Sequence, residues 1–528
     1  MCPRDCPVSR MGQPNADAGD PPRWWAASVG YEVYLASYAD SDGDGLGDLR
    51  GLRSRLEHLE QLGVDLLWIT PFYPSPLRDN GYDVSDYREV HPRFGTLGDL
   101  DELLADAHGR GMRVVIDLVV NHTSSEHPWF TASRSSVENR YRDYYVWRDA
   151  GPGGGPPNNW VSMFGGPAWS WDEATGQYWL HLFLPEQPDL NWSDPRVADE
   201  VDSILRFWLD RGIDGLRVDT AHMFVKHPDL PDNPPADERP GRVPTGTVAG
   251  WGTQRHVHDI DQPGVLEVHR RWRRVTTAYD ALLLGEVYLM DPDEVARYVR
   301  AGDGLDVSFL FTPVELDWDL GALAAVLRRA TAAVGGRPLF AWVLSSHDSR
   351  RAVTRYGGGA HGRERALLVH TLLFTLPGLP FLYQGEELGL EDGDVPPGAA
   401  RDPIGLVAGE HGSSRDRART PMPWCRGPGL GFTTSAHPWL PLGDRHDRDT
   451  VEVQEHDETS PLHRYRKLVR LRRELAALAD ADLTWLDPPN GVISFLRGET
   501  VLVAANAGDD PVDWEAPRGP WSLCFSTS

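Results

Sequence analysis

The sequence predicts an α/β fold, a (β/α)8 TIM barrel with an inserted subdomain after its third strand and an all-β domain at its C-terminus. Short apolar β-type runs alternate with longer helical patterns from residue 30 onward, which is typical of a parallel sheet. A segment rich in Gly, Pro and Trp interrupts this alternation, and short strand-like runs close the chain. At 528 residues the chain is too long for one core, because single cores stop growing at about 250–300 residues.

Eight apolar runs have the length and composition of buried strands, which is the number that a barrel of this type requires. We predict them at residues 32–37, 65–70, 113–119, 215–218, 281–287, 306–311, 340–345 and 380–384. Helical patterns, such as those at residues 203–211 and 263–279, lie between these runs. The barrel is therefore expected to comprise residues 30–121 and 191–455.

Two insertions and a terminal unit account for the rest of the chain. Residues 122–190 are too many for a structureless loop, so they predict a small subdomain over the C-terminal face of the barrel. A second long insertion, 391–439, follows the eighth strand. Residues 456–528 predict a helix at 461–479 and then a small β-sandwich, and the polar residues 1–29 predict a flexible tail.

The formal net charge of −26 disfavours nucleic acid and anionic membranes as partners. No apolar run of 18 residues is free of charges, and the N-terminus lacks the apolar core of a secretory signal. Four cysteines, at positions 2, 6, 425 and 524, are too few to staple a chain of this size. These features predict a cytoplasmic protein with neither a membrane anchor nor an organic cofactor.

Polar side chains follow several of the predicted strands, at the ends that meet in one mouth of a barrel. They are Asp117, Asn121 and His122 after the third strand, Arg217 and Asp219 after the fourth, Glu286 after the fifth, and His347 and Asp348 after the seventh. Any one of them alone is more often a helix cap or an ion-pair partner. Together they predict a site that cleaves an acetal, which requires one protonated and one ionised carboxyl group.

Aromatic side chains in the same loops suit the C–H faces of a sugar ring. They are Tyr82, Phe164, Trp169, Trp171 and Trp179. Packing in the core is the alternative for each of them.

Nine motifs, in order from about residue 31 to 424, resemble the α-amylase family of glycoside hydrolases and, within it, the α-glucosidase branch. They are SYADSDGDGLGDLRGL, DNGYDVSDY, DLVVNHTS, QPDLNW, GLRVDTAHMFVKHP, LLGEVY, SSHDSRR, LPFLYQGEELGL and RTPMPW. The resemblance implies that Asp219 is the nucleophile, Glu286 the acid/base and Asp348 a third carboxylate that holds sugar hydroxyls.

The same resemblance assigns substrate-binding residues. It implies that Arg217 keeps Asp219 ionised, that His122 and His347 bind the sugar, and that Tyr82 stacks beneath the cleaved glucose. It further implies that Asp79 pairs with Arg419 to close the site behind a terminal glucose. Ser346 departs from the family, which commonly has Asn before this His-Asp pair, and the change puts the support of Asp348 in question.

The segment DSDGDGLGD presents acidic oxygens at alternate positions, as a hard cation requires. The expected ligands are Asp40, Asp42, Asp44 and Asp48, with the backbone carbonyl of Leu46. Gly51 occupies the twelfth position, so the segment is not an EF-hand. Similar loops in the branch that the chain resembles hold Ca2+, and we expect structural Ca2+ here, with a solvated acidic turn as the alternative.

These features predict a retaining, exo-acting α-glucosidase that releases glucose from short oligosaccharides or α-glucosides. Thr220 follows the predicted nucleophile, where α-1,6-specific relatives tend to carry Val, so α-1,4 bonds are favoured. One alternative is a glucosyltransferase or isomerase of the same family, in which a sugar hydroxyl replaces water. The other is a non-catalytic relative that serves as a scaffold or as the partner of a transporter.

Overall fold

A barrel of eight parallel strands forms the centre of the molecule. The computed structural model describes residues 23–236, 250–408, 414–508 and 510–527, and these ranges contain fourteen strands. They are β1 Gly30–Val33, β2 Leu66–Ile69, β3 Arg113–Leu118, β4 Trp147–Arg148, β5 Trp169–Asp172, β6 Gln177–Leu180, β7 Gly215–Val218, β8 Leu282–Gly285, β9 Val307–Leu310, β10 Phe340–Trp342, β11 Leu379–Tyr383, β12 Leu483–Trp485, β13 Val492–Arg497 and β14 Val501–Asn506.

The barrel closes in the order β1-β2-β3-β7-β8-β9-β10-β11, and β11 pairs with β1. Each of the eight predicted segments overlaps one of these strands, which confirms the predicted barrel. The first prediction is displaced towards the C-terminus, because Leu35–Ser37 forms a 3-10 turn that ends β1 early.

Helices alternate with the barrel strands on the outside. The α-helices are α1 Leu49–Ser54, α2 Leu56–Leu62, α3 Leu97–Gly109, α4 Pro128–Ser135, α5 Pro195–Asp210, α6 Val265–Thr276, α7 Pro292–Ala296, α8 Leu320–Ala333, α9 Ala352–Arg355, α10 Gly359–Thr375, α11 Pro403–Ala408, α12 Val451–Glu455, α13 Pro461–Glu474 and α14 Ala477–Asp480. In α5 the Asp194 side chain caps the first turn, and Val197, Val201, Ile204 and Trp208 form its buried face at helical spacing.

Alternate residues of the strands fill the barrel interior with bulky apolar side chains, including Trp68, Leu284, Phe309 and Phe381. Trp25 belongs to the same cluster and is 5% exposed. It lies in the 3-10 turn Trp24–Ala27. The predicted flexible tail is therefore wrong for residues 23–29, because an indole that packs on the barrel core orders this turn. Residues 1–22 of that prediction lie outside the described residues.

The segment 122–190 contains α4 and an antiparallel sheet in the order β4-β6-β5. Its apolar side chains form a separate cluster that includes Trp160, Trp169 and Leu180. An isolated bridge between His122 and Asp189 joins its two ends, and a second bridge pairs Tyr145 with Leu190.

A buried ammonium joins this insertion to the barrel. Nζ of Lys226 lies 2.8 Å from Oδ2 of Asp189 and donates to Oδ1 of Asn121 at 3.0 Å. It also donates to the main-chain carbonyl of Met223. One cation thus connects the end of β3, the end of the insertion and the loop after β7.

The C-terminal unit is a single antiparallel sheet in the order β12-β13-β14. Ile493 and Phe495 face the core and are buried, and the Trp485 indole donates to the Thr331 hydroxyl of α8 at 3.0 Å. The sheet therefore packs on barrel helices instead of a second sheet, so the predicted β-sandwich is wrong within the described residues. Residues 510–527 contain no strand.

None of the helices in the described ranges has the length and apolar character needed to cross a membrane. Cys425 and Cys524 are free thiols. Cys2 and Cys6 lie outside the described residues.

We expect Lys226→Met to lower the free energy of unfolding by about 3–5 kcal/mol, because it leaves the buried Asp189 carboxylate without its cation. Lys467→Met is the matched control, since Lys467 is the only other lysine and its side chain is exposed. The midpoints of urea unfolding give the comparison. Equal midpoints for the two variants would contradict a structural role for the Lys226 ammonium.

Candidate active site

The C-terminal ends of the barrel strands bring most of the predicted site residues into one cavity. Its lining includes Asp79, Tyr82, His122, Asp219, Thr220, Glu286 and Asp348. Arg217, His347 and Arg419 stand directly behind this lining, and each contacts one of these residues. The predicted residues are therefore together, in two layers.

Arg217 is the charged centre of the site. Its guanidinium binds Asp117, donates to Oδ1 of Asp219 at 2.8 Å, and lies 2.8 Å from Oε2 of Glu286. All four side chains are buried. Burial raises the pKa of Asp219, Arg217 opposes this rise, and Glu286 adds to it. Three carboxyl groups share one guanidinium, so the cluster can retain a proton.

The backbone at Thr220 is strained. Its φ is +42°, in the left-handed region that a β-branched residue rarely occupies. In this conformation its N–H donates to Oε2 of Glu286 at 2.8 Å. The strained turn therefore links the residue after Asp219 to the second carboxyl group of the site.

Two arginines bind Asp348. Oδ1 accepts from Arg419 at 2.6 Å and from Arg415 at 3.0 Å. Burial alone would raise the pKa of this carboxyl, but Arg415 and Arg419 hold it well below its usual range. Ser346 contributes a hydroxyl that accepts from the Asp348 N–H at 3.2 Å. Asp348 thus has partners of its own, although the Asn common in the family is missing.

The predicted pairing of Asp79 with Arg419 is wrong, because Arg415 makes this ion pair. Nη2 of Arg415 donates to Oδ1 of Asp79 at 2.9 Å and to Asp402 at 2.7 Å. Arg419 instead donates to the main-chain carbonyl of His347 at 2.8 Å. The two arginines stand four residues apart in the segment RDRAR, and the residue pattern does not distinguish them.

Tyr82 and His347 form a stacked pair, with ring centroids 5.4 Å apart and planes 7° from parallel. The Tyr82 hydroxyl donates to Nε2 of His347 at 2.9 Å, and Nδ1 of His347 lies 2.5 Å from a carboxylate oxygen of Glu32. Burial lowers the pKa of His347, so the ring is neutral. The sequence prediction missed Glu32, because this residue is inside the first strand and not at its end.

His122 lies beside the Tyr82 backbone. Its Nε2 donates to the Tyr82 carbonyl at 3.0 Å, and Nδ1 accepts from the Asn121 side chain at 3.3 Å. Burial lowers the pKa of His122 to about 4. The Gln187 amide, which was not predicted, donates to Oδ2 of Asp79 at 3.1 Å.

Only part of the predicted aromatic set reaches the cavity. Tyr82 and Phe164 line it, together with Phe183, which was not predicted. Trp169 belongs to the core of the insertion and donates to Asn158 at 2.7 Å, while Trp171 is 43% exposed. The Trp179 indole donates to the Pro185 carbonyl at 3.1 Å. None of these three indoles lines the described cavity.

The acidic loop brings three of its four predicted carboxylates together. Asp40, Asp42 and Asp48 each have an oxygen within 4.8 Å of the others, so this donor set fits a hard cation. Asp44 instead accepts from Arg93 at 2.8 Å, and the Leu46 N–H donates to it at 2.8 Å. The loop also contacts the second insertion, because Asp40 accepts from the Thr433 hydroxyl.

The chain matches the alpha-amylase family, in its catalytic domain, over residues 32–481. It is 40% identical over 516 residues to a probable alpha-glucosidase of Rhizobium meliloti, covering 96% of this chain and 94% of that protein. The chain belongs to the alpha-amylase family. An oligo-1,6-glucosidase of Parageobacillus thermoglucosidasius is 38% identical over 482 residues, covering 85% of this chain and 84% of that protein.

The crystal structure of an alpha-glucosyl transfer enzyme superimposes with a TM-score of 0.90, at 39% identity over 95% of this chain and 94% of that chain. The predicted membership of the α-glucosidase branch of the alpha-amylase family is confirmed. The chain is accordingly a glycoside hydrolase of the α-glucosidase type, and the alpha-amylase family retains anomeric configuration.

We expect stability to fall as the pH drops from 6.5 to 4, because folding depresses the pKa of His122 and the unfolded chain binds its proton first. Neutral His122 contributes about 3 kcal/mol to the free energy of unfolding. This contribution is fully present above pH 6.5 and is lost as the pH falls through 4. His122→Gln removes this proton site, so its urea midpoint should decline less steeply over the same range. Parallel declines in the variant and the wild type would contradict a neutral, buried His122.

Proposed function

We propose that the enzyme is an exo-acting α-glucosidase that removes single glucose units from the non-reducing ends of short oligosaccharides or α-glucosides. The Asp79–Arg415 ion pair carries this proposal. It joins the loop after β2 to the second insertion, and Arg415 also binds Asp348. A cavity crossed by such a pair accommodates a chain end and blocks the passage of a polysaccharide. The experiment is a time course with maltotriose and longer maltooligosaccharides, where exo-action releases only glucose at first.

We assign Asp219 as the nucleophile and Glu286 as the acid/base. Both contact the same guanidinium, which keeps them close together, and a retaining mechanism requires a separation of about 5–5.5 Å. Glu286 protonates the departing oxygen while Asp219 attacks the anomeric carbon, and a glucosyl ester forms. Glu286 then takes the proton of the incoming water as the ester is cleaved.

The other residues bind and orient the glucose. Asp348 is ionised, because Arg415 and Arg419 stabilise its negative charge. It accepts hydrogen bonds from the sugar hydroxyls. The stacked Tyr82 provides an aromatic face, and His122 and His347 are neutral donors or acceptors. Arg217 stabilises the negative charge that returns to Asp219 when the glucosyl ester is cleaved.

We expect Asp219→Asn to abolish nearly all turnover, because an amide does not form the ester. Glu286→Ala should still form the ester from a substrate with an activated leaving group, since such a group needs little protonation, and azide should then restore turnover. Product anomers are followed by NMR before mutarotation. An initial β-anomer, or substantial wild-type activity in Asp219→Asn, would refute these roles.

Transfer to a sugar hydroxyl is the second candidate reaction. The TM-score of 0.90 to an alpha-glucosyl transfer enzyme favours it, because the same ester intermediate serves both reactions. The part of the cavity that holds the acceptor determines whether water or a sugar hydroxyl cleaves the ester.

We propose a preference for α-1,4 over α-1,6 bonds. Thr220 lines the cavity, and its hydroxyl lies 3.4 Å from Oδ2 of Asp219, which makes this position polar and small.

The ratio of kcat/KM for maltose to that for isomaltose should exceed one, and Thr220→Val should lower it. The change should be graded, since exchange of one small group alters discrimination by about 1–3 kcal/mol. Steady-state kinetics on both disaccharides provide the measurement. A wild-type ratio below one would exclude the preference, and an unchanged ratio in the variant would exclude Thr220 as its cause.

We also propose that Asp40, Asp42 and Asp48 hold a structural Ca2+. An ion that binds only the folded state raises the free energy of unfolding by about 2.7 kcal/mol when its free concentration is a hundred times its Kd. EDTA should therefore lower the melting temperature of the wild type but not that of Asp42→Asn, while low-temperature activity changes less. If EDTA shifted the melting temperature of neither protein and elemental analysis found no metal, the calcium site would be refuted, and the loop would be a solvated acidic turn.

A further inference from the structure

Glu32 is a buried acid in the first barrel strand. It lies in β1 between Trp68 of β2 and Tyr383 of β11 in the strand register, and it is 1% exposed. A buried carboxyl group lowers stability unless other groups hydrogen-bond to it, so its partners indicate its role. Oε1 of Glu32 accepts from the main-chain N–H of His347 at 3.2 Å and lies 2.5 Å from Nδ1 of the same residue. One side chain of β1 therefore binds both the backbone and the ring of His347.

The His347 ring has a defined orientation. A main-chain N–H is always a donor, so Oε1 of Glu32 is an acceptor, and Nδ1–H of the ring donates to it as well. Nε2 then accepts from the Tyr82 hydroxyl at 2.9 Å. Tyr82 and Tyr34 both stack with the imidazole, with ring centroids 5.4 and 5.5 Å away. Stacking restricts motion out of the ring plane, and the two hydrogen bonds restrict rotation within it.

These contacts extend to two groups that line the cavity. Tyr82 is one of them, and its hydroxyl loses its partner if the His347 ring turns. Asp348 is the other and directly follows His347, so the N–H that donates to Glu32 belongs to the turn that carries this carboxylate. Glu32 itself is not among the described lining residues. It is therefore able to orient binding groups without touching a ligand.

The surroundings of Glu32 disfavour a charge. Burial raises its pKa, whereas the hydrogen bond from the His347 N–H opposes this rise. The charged groups that face it are Asp348 and Asp117, which add to the rise, and Arg217, which opposes it. An amide oxygen would accept from the same two N–H groups without carrying a charge. Glutamine should therefore reproduce the contact at this position.

We propose that Glu32 is a positioning residue for glucose binding, because through His347 it fixes the Tyr82 hydroxyl and the turn that carries Asp348. The inference rests on the proposed function. Glu32 contacts no substrate. It connects a strand of the packed barrel to two groups that bind the sugar, so the rigidity of the strand is passed on to them.

The test compares kcat/KM for maltose in Glu32→Gln and Glu32→Met. Glu32→Met has a similar volume but no carboxyl oxygen, and it should lower kcat/KM about thirtyfold, the scale of one buried hydrogen bond. Glu32→Gln keeps the acceptor and should stay within about threefold of the wild type. Urea unfolding verifies that each variant is folded. A loss of more than about tenfold in folded Glu32→Gln, or none in Glu32→Met, would overturn the proposal.

A double-mutant cycle separates positioning from a purely structural role. In the His347→Phe background, whose ring lacks both nitrogens, Glu32→Met should cause no further loss. Glu387→Met is the matched control, because Glu387 is also buried, lies 3.1 Å from His58 and is not among the described lining residues. It should change kcat/KM by the same factor in both backgrounds. An equal loss from Glu32→Met in both backgrounds would refute the proposal. Failure of the wild type to release glucose from any α-glucoside would instead refute the proposed function.

Discussion

The guanidinium of Arg217 is the interaction on which the active site depends. Asp117, Asp219 and Glu286 all lie within its reach, and all are buried. Without this cation three carboxyl groups would face one another in a region of low dielectric, where an unpaired charge costs several kcal/mol. Trp68 covers the guanidinium, with Cζ 4.7 Å from the ring centroid, so the cation is inside the barrel and not at its rim. The Arg217 side chain therefore connects the ends of three neighbouring strands to the carboxyl groups of the site.

The two insertions complete the cavity that the ends of the barrel strands form. Strand ends place Asp219, Glu286 and Asp348, and the packed barrel interior holds them rigidly. The insertions bring Phe164 and Arg415 over the same cavity, and Arg415 stacks on the Phe164 ring at 5.2 Å. The barrel thus positions the three carboxyl groups, while the longer connections shape the opening of the cavity above them.

The barrel and its strand-end residues were predictable because β-type runs and their polar termini are local patterns. The role of Arg415 was not, since its distinction from Arg419 depends on how the second insertion folds over Asp79. Trp25 orders a turn that composition alone assigns to the tail, because its partners are distant in sequence. Likewise, the runs after residue 510 have strand-like composition but find no pairing partner among the described residues. Each error concerns a long-range contact.

The ammonium of Lys226 has a consequence for the order in which the chain is assembled. Its partners, Asn121 and Asp189, both leave the ribosome before Lys226 does. During synthesis the insertion is therefore complete while Asp189 still lacks its cation and β7 has not yet closed beside β3. Domains form from the N-terminal side as they emerge, and apolar faces exposed in the meantime favour aggregation. Until Lys226 has been synthesised, the Asp189 carboxylate lacks its cation, so this contact between the insertion and the barrel forms only after β7 has left the ribosome.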